Sequence, residues 1–338
     1  MASLPLYAPE ERFSLWDAFP NLYANHVALS GDAGWDTSLE FLPRLLPSLA
    51  FAAMWFSVRH FGKRILFPSL AKSLGVRGRT RVSKFAYQLW LTIFYAGSSV
   101  VGYYIIKDEE YAQFPVSARG GAALFNRPEQ TISAKIEWYY WYQIGFYIAE
   151  LFAIFLEPKR KDFFEYFLHH VVTLGLLSGS FVTRFHRIGL YINFIHDIPD
   201  IFLCAAKVCH YAKGPEVVVN GFFAFFVSSF IFFRLYCLPH LTWADLCIVP
   251  YVRRASYPFY ILTAMFGGIL QALHLFWFYL IVRMIIRLLM GVQGDMRSDE
   301  SGDDAAGGGT AEQIAGRKAA RVAAHKKAHD ASKSSKFN

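Results

Sequence analysis

Apolar residues do not alternate with polar ones over most of this chain. They come in long runs separated by short polar breaks. A helix needs about 20 mostly apolar residues to cross a bilayer. Seven runs qualify or nearly so: 46–61, 85–106, 138–156, 163–182, 188–209, 217–237 and 258–282. The first is short and is interrupted by Pro47, which a transmembrane helix tolerates. The pattern predicts an all-α integral membrane protein with about seven transmembrane helices.

Polar residues inside these runs then become the informative ones, because an unpaired ionisable group costs several kcal/mol in a membrane. Two runs are unusual: "DFFEYFLHHVVT" at 162–173 and "HDIPD" at 196–200. On a helix, Asp162, Glu165, His169 and Thr173 recur at three- and four-residue steps, with His170 beside them. Gly189, Asn193, His196, Asp197, Asp200, Cys204 and Lys207 form a second stripe. The short turn 183–187 makes the two helices antiparallel neighbours, so the stripes can face each other. At 1.5 Å per residue His169 lies about 10 Å along its helix from Asp162, a level close to that of Asp200. An imidazole in such a place is a general base, or a nucleophile toward a thioester, and a carboxylate can orient it or hold an ammonium group. Helix packing, or the lining of a cavity, accounts for Glu150, Arg234 and His274, but packing does not account for five ionisable groups on two adjacent helices.

Composition and charge fit this picture. The chain has 338 residues, 54% hydrophobic and 18% charged, with a net charge of +8. The loop 59–84 carries eight Lys/Arg and no acid, which by the positive-inside rule is cytosolic. Alternation makes residues 1–45 a lumenal tail, 157–162 a cytosolic turn and the C-terminus cytosolic. Residues 46–79 then form the first span and its basic loop, and 80–290 the main six-span domain. Residues 291–338, acidic and Gly-rich and then basic, read as a disordered tail. The start of the chain lacks the pattern of a cleavable signal peptide. The charge is accounted for by loops and tail, so no nucleic-acid partner is implied. Cys204, Cys209, Cys237 and Cys247 show no zinc spacing, and the HxxxH and HxxHH boxes of membrane di-iron oxidases do not occur. A mononuclear zinc site from His169, His170 and His196 is disfavoured, because adjacent histidines diverge by about 100° on a helix. No metal is expected.

The string "KRKDFFEYFLHHVVT", with "FVTRFHRIG" and "IHDIPDIFLCAAKVCHY" after it, closely resembles the signature of the ceramide synthases, within the TLC-domain superfamily. The match runs in register from 159 to 211. It departs at Arg184, Pro199 and Cys204, none of them a candidate catalytic position, and a homeobox-like insert is missing from 59–84, as in fungal, plant or protist members. The resemblance implies a TLC-domain helical bundle enclosing a cavity, in the endoplasmic reticulum membrane. It implies transfer of a fatty acyl group from acyl-CoA to the amine of a sphingoid base, with acyl-CoA a co-substrate and no cofactor. Carried over residue by residue, it makes His169, His170, Asp197 and Asp200 catalytic. His196, Asn193 and Thr173 support the substrate, and the basic loop 59–84 together with Lys159, Arg160 and Lys161 attracts the CoA phosphates. Ser298 and Ser301 in "MRSDESGDD" are phosphorylation candidates. Partners beyond the two substrates and the bilayer would be a second copy, a homologue or a regulatory subunit. The competing function is a non-catalytic TLC protein that binds lipid or assists a translocon.

Overall fold

The computed structural model describes residues 42–117, 120, 123–124, 132–157, 162–182, 185–242 and 257–290. Every regular element among them is helical. After a 3-10 turn (Leu42–Leu45) come α1 (Pro47–Phe61), a π-helical turn (Gly62–Leu66) and α2 (Phe67–Ser73). The main bundle is α3 (Arg79–Ile106), α4 (Ala134–Leu156), α5 (Phe163–Val182), α6 (His186–Tyr211), α7 (Glu216–Phe230) and α8 (Tyr257–Leu289). A second π-helical stretch, Ile231–Cys237, continues α7.

Each of the seven apolar runs falls on one of these helices. Four helical stretches are long and apolar enough to cross a membrane by themselves: Arg79–Ile106, His186–Tyr211, Glu216–Thr242 and Met265–Arg287. The other three fall short for visible reasons. α1 has 15 residues, about 22 Å, against a hydrocarbon layer of about 30 Å. α4 is diluted by tyrosines and carries Glu137 and Glu150, and α5 carries two histidines. The surface confirms the solvent: Val217, Phe225, Leu275 and Tyr279 are all more than half exposed. In the most apolar stretch, 216–242, only 11% of the best window is buried. Water would not tolerate such a face, whereas lipid tails would. The protein is a multi-pass, all-helical membrane protein.

Helices approach closely where small residues leave room. A Cβ added at Gly145 of α4 would lie 2.9 Å from the backbone nitrogen of Ala52, so glycine lets α1 and α4 meet backbone to backbone. At Gly189 of α6 it would lie 2.0 Å from the Tyr140 hydroxyl, which is bonded to Ser180 and to the His186 carbonyl. The closest pairings are α3 with α6, α1 with α4, α6 with α7 and α5 with α8. α5 and α6 touch, but neither is the other's main neighbour. The residues facing the two polar stripes therefore come from α3, α4, α7 and α8.

Candidate active site

α5 delivers His169 and His170 at adjacent positions. Their rings are 5.7 Å apart and nearly perpendicular. His170 is buried, and its Nδ1 lies 2.8 Å from the carbonyl oxygen of Tyr166, one turn earlier. A carbonyl can only accept, so Nδ1 carries a proton and Nε2 of the neutral ring carries the lone pair. The His170 ring also packs on the Tyr166 ring at 4.2 Å. His169 turns toward α8, where its ring meets Trp277 at 5.3 Å, and its buried Nδ1 has no partner among the described residues.

The two aspartates of α6, three residues apart, have different surroundings. Asp197 is fully buried in a cradle of neutral donors. Its Oδ2 accepts from Ser98 Oγ (2.5 Å), Gln143 Nε2 (3.2 Å) and Asn193 Nδ2 (3.3 Å). Tyr139 closes the cradle by accepting from Gln143 (2.8 Å) and Asn193 (3.0 Å), and Ser98 bonds Gln143 as well. Oδ1 has no partner among the described residues. Asp200 instead pairs with Arg234 Nη2 at 2.7 Å, and the same Nη2 reaches the carbonyl of His196 at 2.8 Å. Arg234 stands in the π-helical stretch, a kind of local widening frequent at functional sites.

His196 Nδ1 donates to the carbonyl of Ile192 at 2.6 Å, and its Nε2 is buried with no partner among the described residues. Its ring lies 5.0 Å from that of His274 on α8. A row of rings thus runs His170, His169, Trp277, His274, His196 and joins α5 to α6 through α8.

Several expectations change here. Backbone carbonyls, not carboxylates, orient His170 and His196. The reason is helical geometry: the carbonyl one turn back lies within reach of Nδ1, whereas the aspartates are taken up by donors from α3, α4 and the π-helical stretch. Arg234 is the buried counter-ion of Asp200, and His274 is part of the imidazole row. Glu150 does have a structural role, bonded by Arg59 and Trp90 at 2.8 Å each. Thr173 is partly buried one turn past the histidines. Lys159, Arg160, Lys161, Ser298, Ser301, Arg184 and Cys247 lie outside the described residues, as do nearly all of both tails. Among the described residues no disulfide joins Cys204, Cys209 and Cys237. No three His, Cys, Asp or Glu side chains converge on a common metal position among the described residues.

The sequence that builds this helical bundle, with histidines and aspartates on two of its helices, matches a known family. The TLC domain profile covers residues 84–283, well over half of the chain. Ceramide synthase LOH2 of Arabidopsis thaliana is 33% identical over 230 residues, covering 65% of this chain and 75% of that protein. ASC1-like protein 3 of Oryza sativa subsp. japonica is 30% identical over 271 residues, covering 74% of this chain and 93% of that protein. Ceramide synthase 3 of Homo sapiens is 31% identical over 222 residues, and the chain spans only 56% of its length. The chain belongs to the TLC-domain family and, within it, to the ceramide synthase family.

Proposed function

We propose that the protein is an acyl-CoA-dependent sphingoid-base N-acyltransferase, a ceramide synthase in activity as well as in family. The observation that carries this reading is His170: a buried imidazole whose Nδ1 is held by the Tyr166 carbonyl, which makes Nε2 the basic nitrogen of the neutral ring, inside the matched TLC domain. N-acylation requires a base, because the amine arrives as an ammonium and must lose a proton before it attacks a thioester carbonyl. In this reading His170 Nε2 takes that proton. The amine nitrogen then bonds to the acyl carbon, and the C–S bond breaks with CoA thiolate as the leaving group. In a two-step variant His169 attacks first, releasing CoA thiolate, and the acyl-imidazole passes its acyl group to the amine. Asp197, unlike Asp200, has no cationic partner among the described residues, which suits it to receive the ammonium group. His196, Asn193 and Thr173 line the approach.

Seven membrane passes, a cavity within the bundle, an endoplasmic reticulum location and a cytosolic C-terminus complete the proposal. So does the absence of a cofactor. The basic stretch 59–84, which is helical on either side of residues 74–78 and not the loop expected from its charge, and the apolar lengths support the topology. The competing reading, a non-catalytic lipid-binding protein, is favoured by the Asp200–Arg234 pair, since such a pair also braces helices.

The test is direct. Membranes containing the protein are incubated with labelled sphinganine and acyl-CoAs of graded length. Formation of labelled dihydroceramide is expected, and its absence at every chain length would leave the lipid-binding reading in place. Mass spectrometry of protein quenched with acyl-CoA alone separates the two routes, because only the acyl-imidazole route adds an acyl group to His169.

A further inference from the structure

Among the described residues, a pocket with a charged lining lies where the ends of α1, α3, α4 and α5 meet. It holds about 20 Å³, room for a water or two, and is lined by Arg59, Tyr87, Glu150, Glu157, Phe163 and Tyr166. Two cations and two carboxylates meet there. Arg59 donates to Glu150 through Nε and to Glu157 through Nη2, each at 2.8 Å. Lys63 also bonds Glu157, and its ammonium sits 4.6 Å from the centre of the Tyr87 ring.

The two carboxylates are not equivalent. Glu150 is 2% exposed, and both Arg59 and Trp90 bond it, so it is fixed. Glu157 stands just past α4 on extended backbone, and its side chain is 39% exposed. It can swing into water, and doing so leaves Arg59 and Lys63 facing one vacated anion position. A guanidinium and an ammonium beside an aromatic ring form a suitable receptor for phosphate oxygens.

The pocket is also wired to the imidazoles. The Tyr87 and Tyr166 hydroxyls bond at 2.6 Å, and the carbonyl of Tyr166 holds His170. Phe163, on the rim, is seven residues from His170, about 10 Å along α5. A nucleotide phosphate bound here would hang a long thioester arm toward the histidines.

We propose that Arg59 and Lys63 form the phosphate subsite for the acyl-CoA co-substrate, and that Glu157 is a built-in competitor that occupies it until CoA arrives. The proposal rests on the acyltransferase reading for its co-substrate. It also gives the first helix, which precedes the matched TLC domain, a part in binding.

The competitor role fixes the sign of the test. Full-length protein in phosphatidylcholine nanodiscs is titrated with coenzyme A itself, which needs no turnover. Glu157→Gln is expected to tighten CoA binding about fivefold or more, the usual lower range for coupled sites, and Lys63→Gln to weaken it by a similar factor. In the acylation assay the KM for acyl-CoA should follow these changes while the KM for sphinganine stays put. Glu157→Asp, which keeps the charge but shortens its reach, should shift affinity the same way by less, and it serves where Glu157→Gln does not accumulate. Unchanged or weaker CoA binding in these Glu157 variants would make Glu157 a brace and overturn the subsite. Adding phosphatidylserine to the nanodiscs distinguishes lipid phosphate as the source. If the Glu157 variants change lipid retention and not CoA affinity, the subsite belongs to lipid and the proposal is wrong. Tighter CoA binding without any acylation by the unaltered protein would instead sink the acyltransferase reading and keep the phosphate subsite.

Discussion

A buried Arg234 and a partly buried Asp200 form an ion pair, 2.7 Å from carboxylate oxygen to guanidinium nitrogen, that ties the centre of α6 to the π-helical end of α7. The same guanidinium nitrogen bonds the His196 carbonyl, so one residue fixes both a carboxylate and a turn of helix. Removing one partner of a fully buried pair strands the other charge, at about 3–5 kcal/mol, and the partial exposure of Asp200 lowers that cost here. Arg234→Gln should therefore lower the thermal midpoint in detergent strongly. The double variant Asp200→Asn/Arg234→Gln should be less destabilised than Arg234→Gln, because it leaves no stranded charge.

The histidines should separate chemistry from folding. His170→Ala is expected to lower N-acylation by about 100-fold or more, the range of a lost general base, while the protein still accumulates in membranes. Near-normal turnover together with normal accumulation would show that the ring is only packed against Tyr166.

The Asp197 cradle predicts a neutral residue that matters. Gln143 donates to Asp197 and Tyr139 and also bonds Ser98, all inside the bundle. Gln143→Leu leaves buried acceptors unsatisfied, costing about 1–3 kcal/mol, and should lower thermal stability and activity together. Gln143→Glu, a second carboxylate beside Asp197, should be worse, as measured by detergent melting and yield.

Gly189 tests the close approach of α6 to α4. Gly189→Ala drives its methyl group into the Tyr140 hydroxyl and Ser180, and overpacking of this kind costs about 1–3 kcal/mol. A thermal midpoint equal to that of the unaltered protein would show that Tyr140 moves aside freely.

Glu157 sets an acid limit. Burial works against its charge, but Lys63 and Arg59 outweigh that and hold the carboxyl below its ordinary range. A depressed folded value means the contribution is present above the unfolded pKa, about 4.3, and is lost as pH falls through the folded value. Melting curves should show no loss from Glu157 between pH 7 and 5. Below that, the unaltered protein should lose stability more steeply than Glu157→Gln.

Much of this was legible in the sequence. Long apolar runs report helices because a membrane leaves backbone groups no partners except their own. All seven runs lie on helices for that reason. The histidines and aspartates were legible because ionisable groups in apolar runs are expensive and therefore informative. Their partners were not. Ser98, Tyr139 and Gln143 are unremarkable residues of α3 and α4, and only proximity to Asp197 makes them a cradle. His274 and Trp277 are 80 residues or so further along than His196, and nothing local links them to it.

The sequence by itself determined the element type, the membrane setting, the family and the identities of the polar residues, all of which depend on local composition and spacing. Tertiary structure decided who faces whom. Two helices joined by a short turn were expected to pair their stripes, yet α3, α7 and α8 are the larger neighbours. Carboxylates accordingly went to a neutral cradle and to Arg234, and the imidazoles to carbonyls one turn back. The physical reason is that burial obliges each polar group to take the nearest partner, and which partner is nearest depends on how helices distant in sequence pack.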